Sequence, residues 1–213
     1  MKTIEEIWSI VNGLKELYPD GVCSLDYIKD YELLFSVRLA AQCTDERVNK
    51  VTPALYARFP TLEALADADI AEVERYIHST GFFRAKAKDI VLASQMLLRD
   101  YGGRVPDTME ELLKLPGVGR KTANLVLGDV YGKPAVVTDT HCIRIAGRLG
   151  LTANTAPEKV ERDLWAVLVL HGRAVCTARK AFCENCCMAG FCRKAGVGPN
   201  GEKLPGKKAA GRK

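Results

Sequence analysis

Leu115-Pro116-Gly117-Val118-Gly119-Arg120-Lys121-Thr122-Ala123 is the stretch from which the rest of the chain can be read. Leu112, Leu113 and Leu115 carry a helical period that Pro116 closes, because proline cannot continue a helix. Two glycines then make a tight turn, and a new helix begins at once with Arg120. Glycine lets the backbone come close to a ligand, and a helix start offers unpaired N–H groups at its positive end. A phosphate is the natural guest. A plain helix–helix turn also accounts for Gly-x-Gly, so the glycines alone do not decide between the two.

Outward from this turn, helical periods dominate. Ile4, Ile7, Trp8, Val11 and Leu14 follow a capping box of Thr3 and Glu6. Residues 31–41 are apolar nearly all round, which predicts a buried central helix. Thr44 caps a helix running to about Phe59, with a break or kink expected at Pro53. Thr61 and Asp69 read as caps of two short helices, the second closed by Gly81. A helix over 84–101 ends at Gly102-Gly103, and Thr108 with Glu111 repeats the capping box. Helices are expected over 120–131, 140–149 and 157–170. Strict period-two runs are absent, so the fold class is all-α.

The chain has 213 residues, 47% apolar and 27% charged, a globular composition that excludes collagen-like and wholly disordered classes. No apolar run is long enough to span a membrane, and the first residues lack a secretory signal, so a cytoplasmic protein without membrane contact is expected. The net charge of +5 hides an asymmetry. Residues 1–74 carry 7 basic and 14 acidic side chains, whereas residues 75–195 carry 19 basic and 11 acidic ones. Such a distribution suits a protein that turns one face to a polyanion. Residues 196–213 mix Gly, Pro and Lys and are expected as a flexible basic tail.

Five of eight cysteines crowd into one short segment: Cys176, Cys183, Cys186, Cys187 and Cys192. In a reducing compartment that points to metal, not disulfides. The spacing Cys176-x6-Cys183-x2-Cys186-x5-Cys192 can wrap a [4Fe–4S] cluster or zinc, and spacing alone favours neither. Cys187 adds an ambiguity, but the spacing works without it. Further upstream, Val137-Thr138-Asp139-Thr140-His141 puts a carboxylate where a helix begins. Taken alone, Asp139 reads as a helix cap.

Together the nine-residue string, the Thr-Asp-Thr-His segment and the cysteine run resemble the endonuclease III family of DNA glycosylases in order and spacing, over residues 1 to about 194. The resemblance implies a helix-hairpin-helix DNA glycosylase fold. A six-helix barrel domain would occupy residues 23–132, and a discontinuous cluster domain residues 1–22 with 133–195. It also implies a [4Fe–4S] cluster on Cys176, Cys183, Cys186 and Cys192, and a monomer acting on double-stranded DNA with damaged bases or abasic sites. The implied activity is base excision followed by strand cleavage, with oxidised pyrimidines as substrates.

Lys121 matches the family's catalytic lysine and Asp139 its catalytic aspartate. A lysine amine can attack C1′ of the sugar and form a Schiff base, while a carboxylate can stabilise positive charge on the sugar or move protons. Flipping a nucleotide out leaves a hole in the stack. Gln42 matches the glutamine that fills it, and Phe82 stands where the family has a leucine wedge. Leu115, Gly117, Val118, Gly119 and Arg120 would meet the DNA strand at the hairpin. His141 and Arg144 contact phosphates or are simply solvated. Two rivals are an adenine-mismatch glycosylase, whose family members usually lack the lysine and add a C-terminal domain, and a non-catalytic metal-containing DNA-binding module. Lys121 and the short basic tail argue against the first, and the presence of both Lys121 and Asp139 argues against the second.

Overall fold

The structure, a computed structural model, describes residues 3–18, 23–174, 180–185 and 197–202. Its regular elements are helical, joined by short turns. The chain divides into two compact units, Val22–Val137 and the pairing of Met1–Gly21 with Thr138–Lys213.

The unit Val22–Val137 is built around α2 (Asp30–Ala40). Its residues Leu33, Leu34, Phe35, Val37 and Leu39 are all buried, as an apolar circumference requires. It packs against α3 (Asp45–Arg58), α6 (Phe83–Tyr101) and α8 (Arg120–Asp129). The short helices α4 (Leu62–Ala66) and α5 (Ile70–Ile77) lie on α6, and α7 (Met109–Leu112) lies on α8. Side-chain caps start most of these helices where the sequence places them. Thr44, Thr61 and Thr108 accept backbone N–H groups at 3.2–3.3 Å, and Asp69 at 3.0 Å.

Two local expectations are revised. The helix from Asp45 runs unbroken to Arg58, with Pro53 inside it. Proline has no N–H for the Asn49 carbonyl one turn back, yet Val48, Thr52 and Leu55 are buried on the same face and hold both halves in place. Between α5 and Gly81 lies a 3-10 turn, His78–Thr80, so the glycine does not itself close α5.

In the other unit, α1 (Ile4–Leu17) opens with the capping box. Thr3 N–H donates to Glu6 Oε2 at 2.8 Å, and Glu6 N–H donates back to Thr3 Oγ1 at 3.2 Å. Then come α9 (Thr140–Arg148) and α10 (Pro157–Ala174), the latter extending past the expected end at residue 170. The segment read as a flexible tail from 196 is held at its start. Ala181 N–H donates to the Gly201 carbonyl at 2.7 Å, Lys180 pairs with Glu202, and Gly198 and Gly201 are buried. Small residues there let two backbones approach closely. Among the described residues, no helix is long and apolar enough to cross a membrane.

Candidate active site and nucleic-acid interface

The hairpin is a turn between α7 and α8 with an open helix start. Leu115 is buried, so its side chain anchors the turn in the core instead of meeting DNA. Val118 is half-buried against the same core and donates its N–H to the Leu115 carbonyl at 3.2 Å. Gly117 has φ +73, a left-handed backbone that favours glycine. A Cβ there would lie 2.6 Å from Arg38 Nε and 2.6 Å from Asp89 Oδ2. Those two side chains form an ion pair directly beneath the turn, with Nε–Oδ2 at 2.8 Å and Nη2–Oδ2 at 2.7 Å. Gly117 is therefore glycine for the sake of the protein's own packing.

Gly119 differs. It is the N-cap of α8 in extended conformation, and a Cβ there would meet nothing within 4 Å. No side chain caps this helix start and no acidic residue stands in its first turn. Gly119, Arg120 and Lys121 are all exposed. An uncapped, cationic helix start facing solvent has the chemistry that favours an anion.

Two further loops in this unit carry Gln42 and Phe82. Among the described residues these are the non-glycine residues with a left-handed backbone, φ +56 and φ +46. Each such residue costs about 1–2 kcal/mol, so strain is stored at both. Both side chains are exposed, Phe82 by 69%. Its neighbour Phe83 turns inward instead, with its ring 4.4 Å from that of His78. Of the two phenylalanines, Phe82 is thus the one presented to solvent.

Asp139 belongs to the other unit and starts α9. Its Oδ1 accepts the Cys142 N–H at 2.8 Å, so the cap reading of this residue holds. The carboxylate is half-buried and fixed in orientation by that bond. Burial, with the Asp139 charge adding to it, pushes the Cys142 thiol pKa up, which keeps that thiol protonated and unreactive. One turn along, exposed His141 and Arg144 sit together, Nδ1 to Nη2 at 3.1 Å.

Residues 35–169 match the family described as HhH-GPD superfamily base excision DNA repair protein. The endonuclease III of Synechocystis sp. is 52% identical over 195 residues, covering 85% of this chain and 89% of the relative. The chain belongs to the endonuclease III family. Two solved endonuclease III structures, a non-covalent DNA complex and a trapped covalent DNA intermediate, each superpose with a TM-score of 0.74 at 36% identity. Each match covers 91% of this chain and 97% of the other.

Within this chain, Cys176, Cys186, Cys187 and Cys192 lie outside the described residues. Cys183 is described: it is half-buried at the start of the 3-10 turn Cys183–Asn185. Among the described residues, no three His, Cys, Asp or Glu side chains are gathered to hold a metal.

Sequence reasoning missed the Arg38–Asp89 pair beneath Gly117, and it missed Lys86. The Lys86 side chain is completely buried in α6. A signal existed: Lys86 shares the helical phase of Ile90, Ala93 and Leu97, which are buried. Polarity argues for a surface position, and phase argues for the core. Phase wins here.

Proposed function

We propose that the chain is a bifunctional DNA glycosylase and AP lyase of base-excision repair, with Lys121 as nucleophile and Asp139 as its carboxylate partner. The observation that carries this reading is Lys121 itself, exposed on the first turn of an uncapped helix at the Gly117–Gly119 hairpin. It lies in a chain closely similar to an endonuclease III that has been trapped covalently on DNA. The hairpin N–H groups and Arg120 hold the strand by phosphates and so bring a sugar to the lysine amine.

In the proposed reaction, the Lys121 Nζ lone pair forms a bond to C1′ as the glycosidic bond breaks, and the base leaves with the electron pair of the glycosidic bond and takes up a proton. Asp139 stabilises the positive charge that grows on the sugar. Loss of a proton from nitrogen and opening of the sugar ring give the Schiff base. That cation acidifies C2′, so removal of a C2′ proton expels the 3′ phosphate and cuts the strand. Hydrolysis of the imine frees Lys121. Oxidised pyrimidines in duplex DNA are the proposed substrates, and the enzyme works in the cytoplasm at the nucleoid. The barrel domain is assigned to residues 23–132 and the cluster domain to 1–22 with 133–195.

The donor set fits a [4Fe–4S] cluster. Cys176, Cys183, Cys186 and Cys192 offer four thiolates within one short segment, and Cys183 sits half-buried on a tight turn just after the isolated bridge between Lys180 and Glu202. Bound there, such a cluster supplies a cross-link for the segment. Arg179, Lys180, Arg193 and Lys194 then bring cationic side chains to the DNA backbone.

The test is borohydride trapping on duplex DNA containing an abasic site. Wild type is expected to give a covalent protein–DNA adduct, and Lys121→Ala none, while Lys121→Gln folds and binds DNA. Base release by Lys121→Ala at the wild-type rate would overturn the lysine mechanism.

A further inference from the structure

A wholly buried lysine is costly unless its ammonium is well paired. In this chain Lys86 Nζ donates to the Leu39 carbonyl at 2.7 Å and to the Thr80 carbonyl at 2.8 Å. Both acceptors lie at helix C-terminal ends, where carbonyls lack intrahelical donors and a cation is favoured. Leu39 is next to last in α2, and Thr80 ends the 3-10 turn His78–Thr80. Three residues beyond Leu39 and two beyond Thr80 come the two left-handed residues, Gln42 and Phe82. Lys86 holds the second loop twice, since its own N–H also donates to the Phe82 carbonyl at 3.2 Å. Burial, reinforced by Arg38 and opposed by Cys43, pulls the lysine pKa below its usual range.

We infer that Lys86 is a positioning residue that clamps the Gln42 loop to the Phe82 loop, so that the two side chains enter the base stack as one unit. The inference rests on the DNA-repair reading, because it supposes that both loops meet a duplex from which a nucleotide is flipped. Neither the end of α2 that leads into Gln42 nor the turn that leads into Phe82 can shift without disturbing a bond to the buried Lys86 amine. The strain at Gln42 and Phe82 is held by this shared anchor, which no solvent molecule can replace. An apolar side chain of the same length would fill the space and leave two buried carbonyls unpaired.

The test separates insertion from folding and from chemistry. Insertion is read as the fluorescence rise of 2-aminopurine opposite a tetrahydrofuran abasic analogue in duplex DNA, which requires no reaction. Lys86→Met is expected to lose that rise, and single-turnover excision of thymine glycol from a duplex is expected to fall by about 10²-fold, as for a misplacement on the ångström scale. Borohydride trapping on a single-stranded abasic oligonucleotide, which needs no wedge, should stay at the wild-type level. Unchanged insertion in Lys86→Met would overturn the inference, and so would equal losses on duplex and single-stranded substrates.

A second measurement leaves Lys86 intact and uses exposed positions. In a cycle of Gln42→Ala, Phe82→Ala and the double variant, clamped loops make each single loss nearly as large as the double loss. Strictly multiplicative losses would mean that the loops act independently, and the clamp would be refuted even if Lys86→Met failed to fold. A wild type that inserts normally but forms no adduct would remove the lyase reading and leave the clamp standing.

Discussion

Replacing each hairpin glycine by alanine separates what the turn does for the protein from what it does for DNA. In Gly117→Ala the new Cβ meets a left-handed backbone at φ +73 and two charged atoms at 2.6 Å. The backbone strain costs about 1–2 kcal/mol. Displacing the Arg38–Asp89 pair, whose side chains are 21% and 23% exposed, removes about 1 kcal/mol more. A loss of about 2–3 kcal/mol in a chain of this size lowers the melting temperature by roughly 5–10 °C. Gly119→Ala, at φ −102 with open space around it, should cost under about 1 kcal/mol. Thermal unfolding of both variants measures this difference. The second assay is binding to abasic-site duplex across a salt series. Gly119→Ala should bind more weakly and lose about one phosphate from the salt slope, because the added methyl stands where the phosphate comes in. If Gly119→Ala melted as early as Gly117→Ala, or bound with the wild-type slope, the division of roles between the glycines would be wrong.

Asp139→Asn should keep the α9 cap and stability, since asparagine caps as well as aspartate, yet lose about 10²–10⁴-fold in base excision measured in single turnover. Strand cleavage at a pre-formed abasic site should suffer less, because base expulsion is already complete. Purified protein should be yellow-brown and carry iron; Cys183→Ser should lose both, whereas Cys187→Ser should keep them, as read by absorbance and iron analysis. Hydrogen bonds from Thr152 and Asn154 to Asp163 Oδ2, at 2.5 and 2.8 Å, hold the Asp163 carboxyl below the usual carboxylate range. Its stabilising effect is thus present at neutral pH and is lost as the pH falls through that lowered pKa. Asp163→Asn should lower neutral-pH stability and flatten the acid limb of a melting-temperature profile.

Much of this architecture is legible in the sequence because local chemistry decides it. Thr3, Thr44, Thr61, Asp69, Thr108 and Asp139 begin helices by satisfying N–H groups that nothing else nearby can reach. The Leu115–Ala123 string is legible for the same reason, since proline and glycine dictate the backbone directly. What escapes is set by partners distant in sequence. The reason for Gly117 lies in Arg38 and Asp89, on two other helices. The choice between Phe82 and Phe83 depends on His78 and on which ring the core accepts. Lys86 reads as a surface charge until the Leu39 and Thr80 carbonyls are found facing it. Pro53 reads as a breaker because sequence shows the missing N–H but not the buried face that keeps α3 continuous through it.

The ion pair beneath Gly117 bears on how this enzyme could be re-engineered. Arg38 precedes Leu39 on α2, and Asp89 follows Lys86 by one turn on α6. The same short stretches of two helices therefore anchor the hairpin through one contact and the Gln42 and Phe82 loops through another. These three loops are not interchangeable cassettes. A chimera that borrows one of these loops from a relative must import residues 38–43, 80–89 and 115–119 as one block. Transplanted singly, each loop would arrive without the footing that gives it its place.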